Sequence, residues 1–169
     1  MKTTLVTGGI ASGKSQVCRY LVSKGYPVYD CDSGCKALYD SVPGLKGRIE
    51  KELAVPFDRI AVIFQDEVKR ERLESIVFPL LLEDIEKWRS GLFCQRCFIE
   101  SATALSKPAF DGIYDDVWIV TADYGTRCAR NAKVAERDGI QHFDRSRAAA
   151  VIENDGSLDE LYDKIDRIL

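Results

Sequence analysis

The chain has 169 residues, of which 46% are hydrophobic and 30% are charged, and this composition is typical of one ordinary globular domain. Its 24 basic and 27 acidic residues leave a net charge of −3, so composition gives no general electrostatic reason to bind nucleic acid or a membrane. No apolar run approaches the ~20 residues that span a bilayer, and the N-terminus enters the first predicted strand without room for a signal peptide. We therefore expect a cytoplasmic protein, monomeric or weakly homo-oligomeric, with reduced cysteines.

A phosphate loop follows the first predicted strand, residues 3–7. The stretch GGIASGKS fits G-x-x-x-x-G-K-[ST] at every fixed position. Glycines let the backbone curl so that its N–H groups point inward, and the start of the predicted helix 14–24 adds partial positive charge. Lys14 then reaches the β- and γ-phosphates, and the Ser15 hydroxyl can ligate Mg²⁺. The predicted site for a nucleoside triphosphate consists of Gly8, Gly9, Ile10, Ala11, Ser12, Gly13, Lys14, Ser15 and Gln16.

Four further predicted strands alternate with helices, at 27–31, 93–100, 117–121 and 149–153. Residues 66–89 carry a long helical pattern, and Pro79 inside it predicts a kink or two abutting helices. Ser157 and Glu160 form a capping-box pattern, which opens a last helix running to Leu169. The alternation predicts an α/β fold with a five-stranded parallel sheet and helices on both faces.

Acidic residues stand at the predicted strand ends, where such sheets bind their ligands. The second strand ends in Asp30-Cys31-Asp32 and the third in Glu100. Carboxylates there face the transferred phosphate and Mg²⁺, which makes Asp32 a catalytic candidate and Glu100 a metal candidate. A cap on the following helical turn is the alternative for Asp32, and a structural role is the alternative for Glu100.

Arginines cluster late in the chain, and arginine commonly neutralises a transferring phosphate. Interleaved acidic residues also fit a solvated helix face, so both interpretations stay open. The cluster consists of Arg127, Arg130, Arg137, Arg145 and Arg147.

The cysteines and the single histidine predict no chemistry of their own. Cys94 and Cys97 have C-x-x-C spacing, but their predicted strand places them on opposite sides, which favours small buried hydrophobes over a zinc or redox site. Cys31 and Cys35 are interpreted in the same way, and so are Cys18 and Cys128, which lie within apolar helical patterns. His142 has no serine or cysteine partner at a recognisable spacing and is expected to be a surface or capping residue.

An ordered series of motifs resembles the dephospho-coenzyme A kinases. The family's T-G-G-I-x-S-G-K-S is matched at 7–15, and its V-x-D-A-D resembles VYDCD at 28–32. Its R-x-x-L-x-x-I-x-H-P helix resembles RERLESIVFP at 70–79, and its V-I-x-N-x-G-S resembles VIENDGS at 151–157. The series covers most of the chain, although only the phosphate loop is highly specific by itself.

The resemblance implies a P-loop kinase fold and transfer of the γ-phosphate of ATP to the ribose 3′-hydroxyl of dephospho-coenzyme A, with Mg²⁺. It implies that Asp32 orients the hydroxyl or accepts its proton, that Lys14 bridges the phosphates and that Arg130 is the lid arginine. Asn154 and Gly156 are implied to lie beside the adenine. Residues 1–169 then form one kinase domain, in which 35–89 bind the acceptor and 127–147 form the lid.

The chain departs from the family pattern in four places. Phe78 replaces the histidine before the proline, the lid stretch is shortened at 137–147, residues 55–64 are compressed, and no glutamate stands near 106–107. Two alternatives therefore stay open at this point, a nucleotide or nucleoside-monophosphate kinase and an ATP-binding paralogue without catalysis.

Overall fold

The computed structural model describes residues 1–137 and 143–169. The chain divides into two compact units, one formed by Met1–Asp30 and Phe93–Leu169 and the other by Cys31–Leu92. The single kinase domain expected from the sequence therefore stays a prediction. None of the helices in the described ranges is long and apolar enough to cross a membrane.

A five-stranded sheet forms the centre of the first unit. Its strands are parallel and lie in the order β2-β3-β1-β4-β5, which confirms the predicted parallel α/β sheet. Their bounds are β1 (Lys2–Gly8), β2 (Val28–Asp30), β3 (Arg96–Glu100), β4 (Asp116–Thr121) and β5 (Ala150–Glu153).

The third strand is three residues shorter than the sequence predicted. Lys2, the first residue of β1, pairs with Arg96 and donates its N–H to the carbonyl of Gln95 at 2.8 Å, so the pairing with β1 does not extend to residues 93 and 94. Phe93 is fully exposed there, and Cys94 lies in a bend rather than in the strand. The strand-based argument about the C-x-x-C pair was therefore wrong for Cys94, although Cys97 is fully buried as expected.

The described part of the chain contains seven α-helices, which are numbered in chain order. They are α1 (Lys14–Ser23), α2 (Cys31–Ser41), α3 (Leu45–Leu53), α4 (Glu67–Ser90), α5 (Tyr124–Arg130), α6 (Val134–Arg137) and α7 (Leu158–Asp166).

One face of the sheet is covered by α1 and α7. Buried apolar side chains from both helices and from four strands form one cluster, in which Phe98 and Trp118 are the large aromatic members. The helices also contact each other through Tyr20 and Tyr162, whose rings stack with centroids 4.0 Å apart. This packing holds α1, and with it the phosphate loop, against the sheet.

The opposite face of the sheet is apolar as well. Leu5, Ile99 and Ile119 alternate with the residues of the first face and are almost completely buried. A short 3₁₀ segment, Ala104–Ser106, contacts β1 within the same unit.

The capping box predicted before the last helix is present. The Ser157 hydroxyl accepts from the backbone N–H of Glu160, and the Glu160 carboxylate accepts from the backbone N–H of Ser157. The helix ends at Asp166, so it is shorter than predicted.

The second unit is helical. The helices α2 and α3 and the 3₁₀ segment Phe57–Gln65 pack against α4. The helix α4 runs unbroken through Pro79, so of the two alternatives stated for the proline, two abutting helices is wrong and a kink stays a prediction. Buried side chains precede and follow the proline, at Val77 and Leu81, and their packing stabilises the helix on both sides of it.

Candidate functional site

The phosphate loop leaves β1 at Gly8 and enters α1 after Gly13. Its backbone turns through positive φ at Gly8 (148°), Ala11 (59°) and Gly13 (102°). The N–H of Ser12 donates to the carbonyl of Gly9 at 3.1 Å and closes the turn. Because the residue before α1 is a glycine, no side-chain oxygen caps the helix start, which leaves this end of the helix suited to an anion.

Two loop positions require glycine for lack of space. A Cβ on Gly8 would lie 2.1 Å from the carbonyl oxygen of Val120 on β4. A Cβ on Gly13 would lie 2.0 Å from the side-chain nitrogen of Asn154. Glycine is therefore required at these two positions by neighbouring protein groups, in addition to the backbone curl that the sequence predicted.

Lys14 lies over the first turn of the loop. Its ammonium group donates to the carbonyls of Gly8 at 2.9 Å and Gly9 at 3.3 Å. The charge of Lys14 is therefore held at the loop, on the strand side of α1.

Ser15 and Glu100 meet at the carboxyl ends of β1 and β3. The Ser15 hydroxyl donates to the Glu100 carboxylate at 2.9 Å. The parallel register places Glu100 level with Val6, two residues before the loop begins. The sequence named both residues as metal candidates separately, and the fold brings them together.

Cys18 lies buried one turn further along α1. Burial raises the pKa of its thiol well above the usual range, and the neighbouring carboxylates of Glu100, which accepts a hydrogen bond from the thiol, and Asp30 raise it further. The thiol is therefore protonated at neutral pH and behaves as a small buried hydrophobe, as predicted. Cys31 and Cys97 are buried too, whereas Cys35, Cys94 and Cys128 are partly exposed, so that expectation was wrong for these three.

Asn154 and Arg130 contact the loop from the turn after β5 and from the end of α5. The side-chain nitrogen of Asn154 donates to the carbonyl of Ser12 at 2.8 Å. The Arg130 guanidinium donates to the backbone carbonyl of Asn154 at 2.8 Å, and at 3.4 Å to that of Ala11. The resemblance pointed to both residues, and the sequence alone did not indicate that they bind the loop backbone.

A cleft of about 150 Å³ opens beside the loop at the carboxyl end of β4. Two arginines of the late cluster line it, and one of them, Arg127, is held by a 3.0 Å hydrogen bond from its Nε to the carbonyl of Ala122. Sequence reasoning left Arg127 undecided and missed Phe143, which no motif marks. The lining residues are Gly9, Ser12, Val120, Thr121, Ala122, Arg127, Phe143 and Arg145.

Two further predicted cofactor residues lie near the last helix. The Gln16 side chain on α1 donates to the hydroxyl of Tyr162 on α7 and accepts from Arg19 at 2.5 Å. Gly156 lies against the Glu160 carboxylate, close to the capping box. The predicted roles of Gln16 and Gly156 in nucleotide binding stay predictions.

Asp32 lies in the first turn of α2, not on the second strand as the sequence suggested. The strand β2 ends at Asp30, because α2 begins at the next residue, Cys31. Asp32 is exposed, and within the second unit its charge helps to raise the pKa of Tyr39 to about 12, although burial is the larger cause.

Some predicted residues fall outside the described part. His142 lies there, and the side chain of Arg137 is not described, although the backbone of α6 reaches it. Arg147, by contrast, bonds the carbonyl of Leu105 at 3.1 Å and the Tyr114 hydroxyl at 3.2 Å, which is a structural role.

This chain is similar to known proteins in both sequence and fold. A dephospho-CoA kinase of Porphyromonas gingivalis is 37% identical over 148 residues, which cover 82% of this chain and 71% of that protein. A crystal structure from Thermus thermophilus has a TM-score of 0.81 at 30% identity and covers 98% of this chain and 94% of its own. No family model matches the sequence.

A dephospho-CoA kinase from Campylobacter jejuni matches the fold with a TM-score of 0.58 at 14% identity, covering 99% of this chain and 95% of its own. This match supports the predicted P-loop kinase fold, and the sequence identity to the Porphyromonas protein supports the family. The chain therefore belongs to the dephospho-CoA kinase family.

Proposed function

We propose that this protein transfers the γ-phosphate of ATP to the ribose 3′-hydroxyl of dephospho-coenzyme A. The observation that carries the proposal is the complete phosphate loop, with Lys14 at its centre, in a chain of this family. Kinases of this fold work mainly by positioning the phosphates and stabilising their charge, which is what the loop, the helix start and nearby cations are suited to do.

We assign the binding of ATP and of its transferring phosphate to the first unit. Backbone N–H groups of the loop, from Gly8 to Ser15, cradle the phosphates, and Lys14 moves from the carbonyls that it contacts to the β- and γ-phosphates. Arg130 neutralises charge that builds on the transferring group, since its guanidinium already lies at the loop.

Transfer joins the acceptor oxygen to the γ-phosphorus while the bond from this phosphorus to the β,γ-bridging oxygen breaks and ADP leaves. Asp32 is proposed to orient the acceptor hydroxyl and to take its proton as the new bond forms. Two observations support this role, the match of VYDCD to the family's acidic motif and the exposure of the Asp32 carboxylate at the start of α2.

Mg²⁺ is implied by the family, and the residues present fit it. A hydroxyl and a carboxylate lie 2.9 Å apart at Ser15 and Glu100, and both supply the oxygen ligands that Mg²⁺ prefers. Among the described residues no cluster of three or more acidic, histidine or cysteine ligands occurs, which suits a metal held partly by substrate phosphates. When bound, Mg²⁺ neutralises phosphate charge.

A coupled assay for ADP tests the proposal. Purified protein with Mg-ATP is offered dephospho-coenzyme A, a set of nucleoside monophosphates, or no acceptor, and the product is identified by mass spectrometry. We expect ADP formation to depend on dephospho-coenzyme A and on Lys14, so that a folded Lys14→Ala variant loses it. Lys164→Ala, which changes a partly exposed lysine that donates to the Glu153 carbonyl, should keep it. Stimulation by a monophosphate would point to a nucleotide kinase, and ATP binding without turnover to a non-catalytic paralogue; either result overturns the proposal.

A further inference from the structure

We infer that Asn154 is a positioning residue of the phosphate loop, whose side-chain amide fixes the Ser12–Gly13 peptide and thereby aims the Gly13 N–H at the nucleotide's phosphates. The inference rests on the proposed function only in taking the loop to bind a nucleoside triphosphate. It differs from a nucleobase contact, which is what the resemblance to relatives implied for this turn.

Asn154 is built into the protein rather than offered to solvent. The residue is only 5% exposed. Its backbone N–H donates to the Thr121 carbonyl at 2.8 Å, and its backbone carbonyl accepts from Arg130, so β4 and α5 hold the turn from two sides. The side chain is therefore oriented before any ligand arrives.

The contact with the loop is specific in its polarity. A backbone carbonyl only accepts hydrogen bonds, so the atom of Asn154 that lies 2.8 Å from the Ser12 oxygen must be the amide nitrogen. A carboxylate of the same shape would place an acceptor against an acceptor. The contact thus distinguishes asparagine from aspartate, which differ little in volume.

Holding the Ser12 carbonyl also orients the next N–H. The peptide is planar and trans, so its C=O and N–H point in opposite directions. With the Ser12 oxygen turned toward Asn154, the Gly13 N–H points away from Asn154. We assign this N–H to phosphate binding.

Gly13 and Asn154 fit each other sterically. A Cβ at position 13 would lie 2.0 Å from the Asn154 nitrogen, so the amide approaches the loop as closely as a glycine allows. Glycine at position 13 therefore makes room for Asn154. It also allows the backbone φ of 102°, which residues with a side chain rarely adopt.

The test separates a loop-positioning role from a base contact by using a ligand without a base. Calorimetry measures the affinity of wild type, Asn154→Ala and Asn154→Asp for Mg-ATP, Mg-GTP and magnesium tripolyphosphate. Loss of one hydrogen bond predicts a fall of about 3- to 10-fold in Asn154→Ala, with a larger fall in Asn154→Asp because acceptors then face each other. We expect the same factor for all three ligands, since the loop binds their shared phosphates.

Asp155→Ala is the matched control. Asp155 is the next residue of the same turn, and its carboxylate, which cannot donate to a loop carbonyl, accepts from the backbone N–H of Asp123 at 2.7 Å. We expect this variant to bind all three ligands within about twofold of wild type, because the change leaves the hydrogen bond between Asn154 and Ser12 in place. A loss of affinity that follows from general loosening of the turn would appear in Asp155→Ala too.

Two results overturn the inference. One is that an Asn154 variant loses affinity for ATP while its affinity for tripolyphosphate is unchanged. If tripolyphosphate binds too weakly to measure, a changed ratio of ATP affinity to GTP affinity in the variant has the same meaning. The other is unchanged binding of every ligand in folded variants. Thermal unfolding checks the fold, and Asn154→Ala decides alone if the aspartate variant does not fold. None of these measurements uses an acceptor, so failure of dephospho-coenzyme A to be phosphorylated counts against the proposed function and not against this inference.

Discussion

The Ser15 hydroxyl donates a 2.9 Å hydrogen bond to the carboxylate of Glu100, and these residues are 85 positions apart in the chain. Ser15 lies in the first turn of α1, at the end of the phosphate loop, and Glu100 is the last residue of β3, the strand beside β1. The parallel pairing of β1 with β3 brings the two oxygens together. We propose that this pair holds Mg²⁺ beside the loop.

Glu100→Gln tests that pair as a metal site. The amide keeps the shape of the side chain and a hydrogen bond with Ser15, but it loses the charge that attracts Mg²⁺. We expect the Mg²⁺ concentration for half-maximal activity to rise by about 10- to 100-fold, which is the range seen when groups around a metal are changed. Titration of activity against Mg²⁺ at saturating ATP measures this. Glu153→Gln, at the end of β5, is the control, and an equal metal requirement in both variants would contradict the assignment.

Asp32→Asn tests the proton acceptor. The variant keeps the size and hydrogen-bonding capacity of the side chain but takes no proton. We expect transfer to dephospho-coenzyme A to fall by about 10² to 10⁴-fold while ATP affinity stays near wild type. Asp30→Asn provides the comparison. It should lower the transfer rate less than Asp32→Asn does, because Asp30 lies on β2, level with Glu100, and precedes the helical turn that carries Asp32. A wild-type rate in Asp32→Asn would move the role to Asp30 or Glu100.

Gly8→Ala tests the close approach of the loop to β4. The added Cβ would lie 2.1 Å from the Val120 carbonyl oxygen, a backbone atom, at a φ of 148°. Overpacking and backbone strain together predict a loss of about 2 to 4 kcal/mol in the free energy of unfolding. Urea unfolding measures it. Gly125→Ala lies in α5 with open space around its Cβ and should be neutral or slightly stabilising; equal effects of the two changes would show that the contact is relieved cheaply.

Cys18 offers a test of the electrostatics under the loop. Its pKa is raised, first by burial and then by Glu100 and Asp30, so almost no thiolate exists at pH 8 in the folded protein. We expect iodoacetamide at pH 8 to leave Cys18 unmodified while Cys128, which is partly exposed, reacts. Mass spectrometry of the digested peptides reports each site, and modification of Cys18 in urea confirms that it can react when unfolded. Rapid alkylation of Cys18 in the native protein would contradict the described environment.

Much of the fold follows from local patterns. The strand β1, the phosphate loop and α1 were predicted because the glycines, Lys14 and Ser15 stand at the spacing of the phosphate-loop motif. The capping box of Ser157 and Glu160 is likewise a local signal. At Pro79 the local signal left a kink and a break as alternatives, and the break is excluded because α4 is continuous, with buried side chains on both sides of the proline. The start of β3 was misplaced because pairing with Lys2, a residue far away in sequence, decides it.

By itself the sequence determined where the phosphate loop lies, at residues 8–15, since those residues form the loop from their own backbone conformations. The tertiary structure decided which distant groups complete the loop. Glu100 reaches Ser15 through strand pairing, and Asn154 reaches Ser12 because β5 ends beside β4. Contacts between residues 85 and 142 positions apart leave no periodicity in a single sequence, because they depend on the order of strands in the sheet rather than on spacing along the chain.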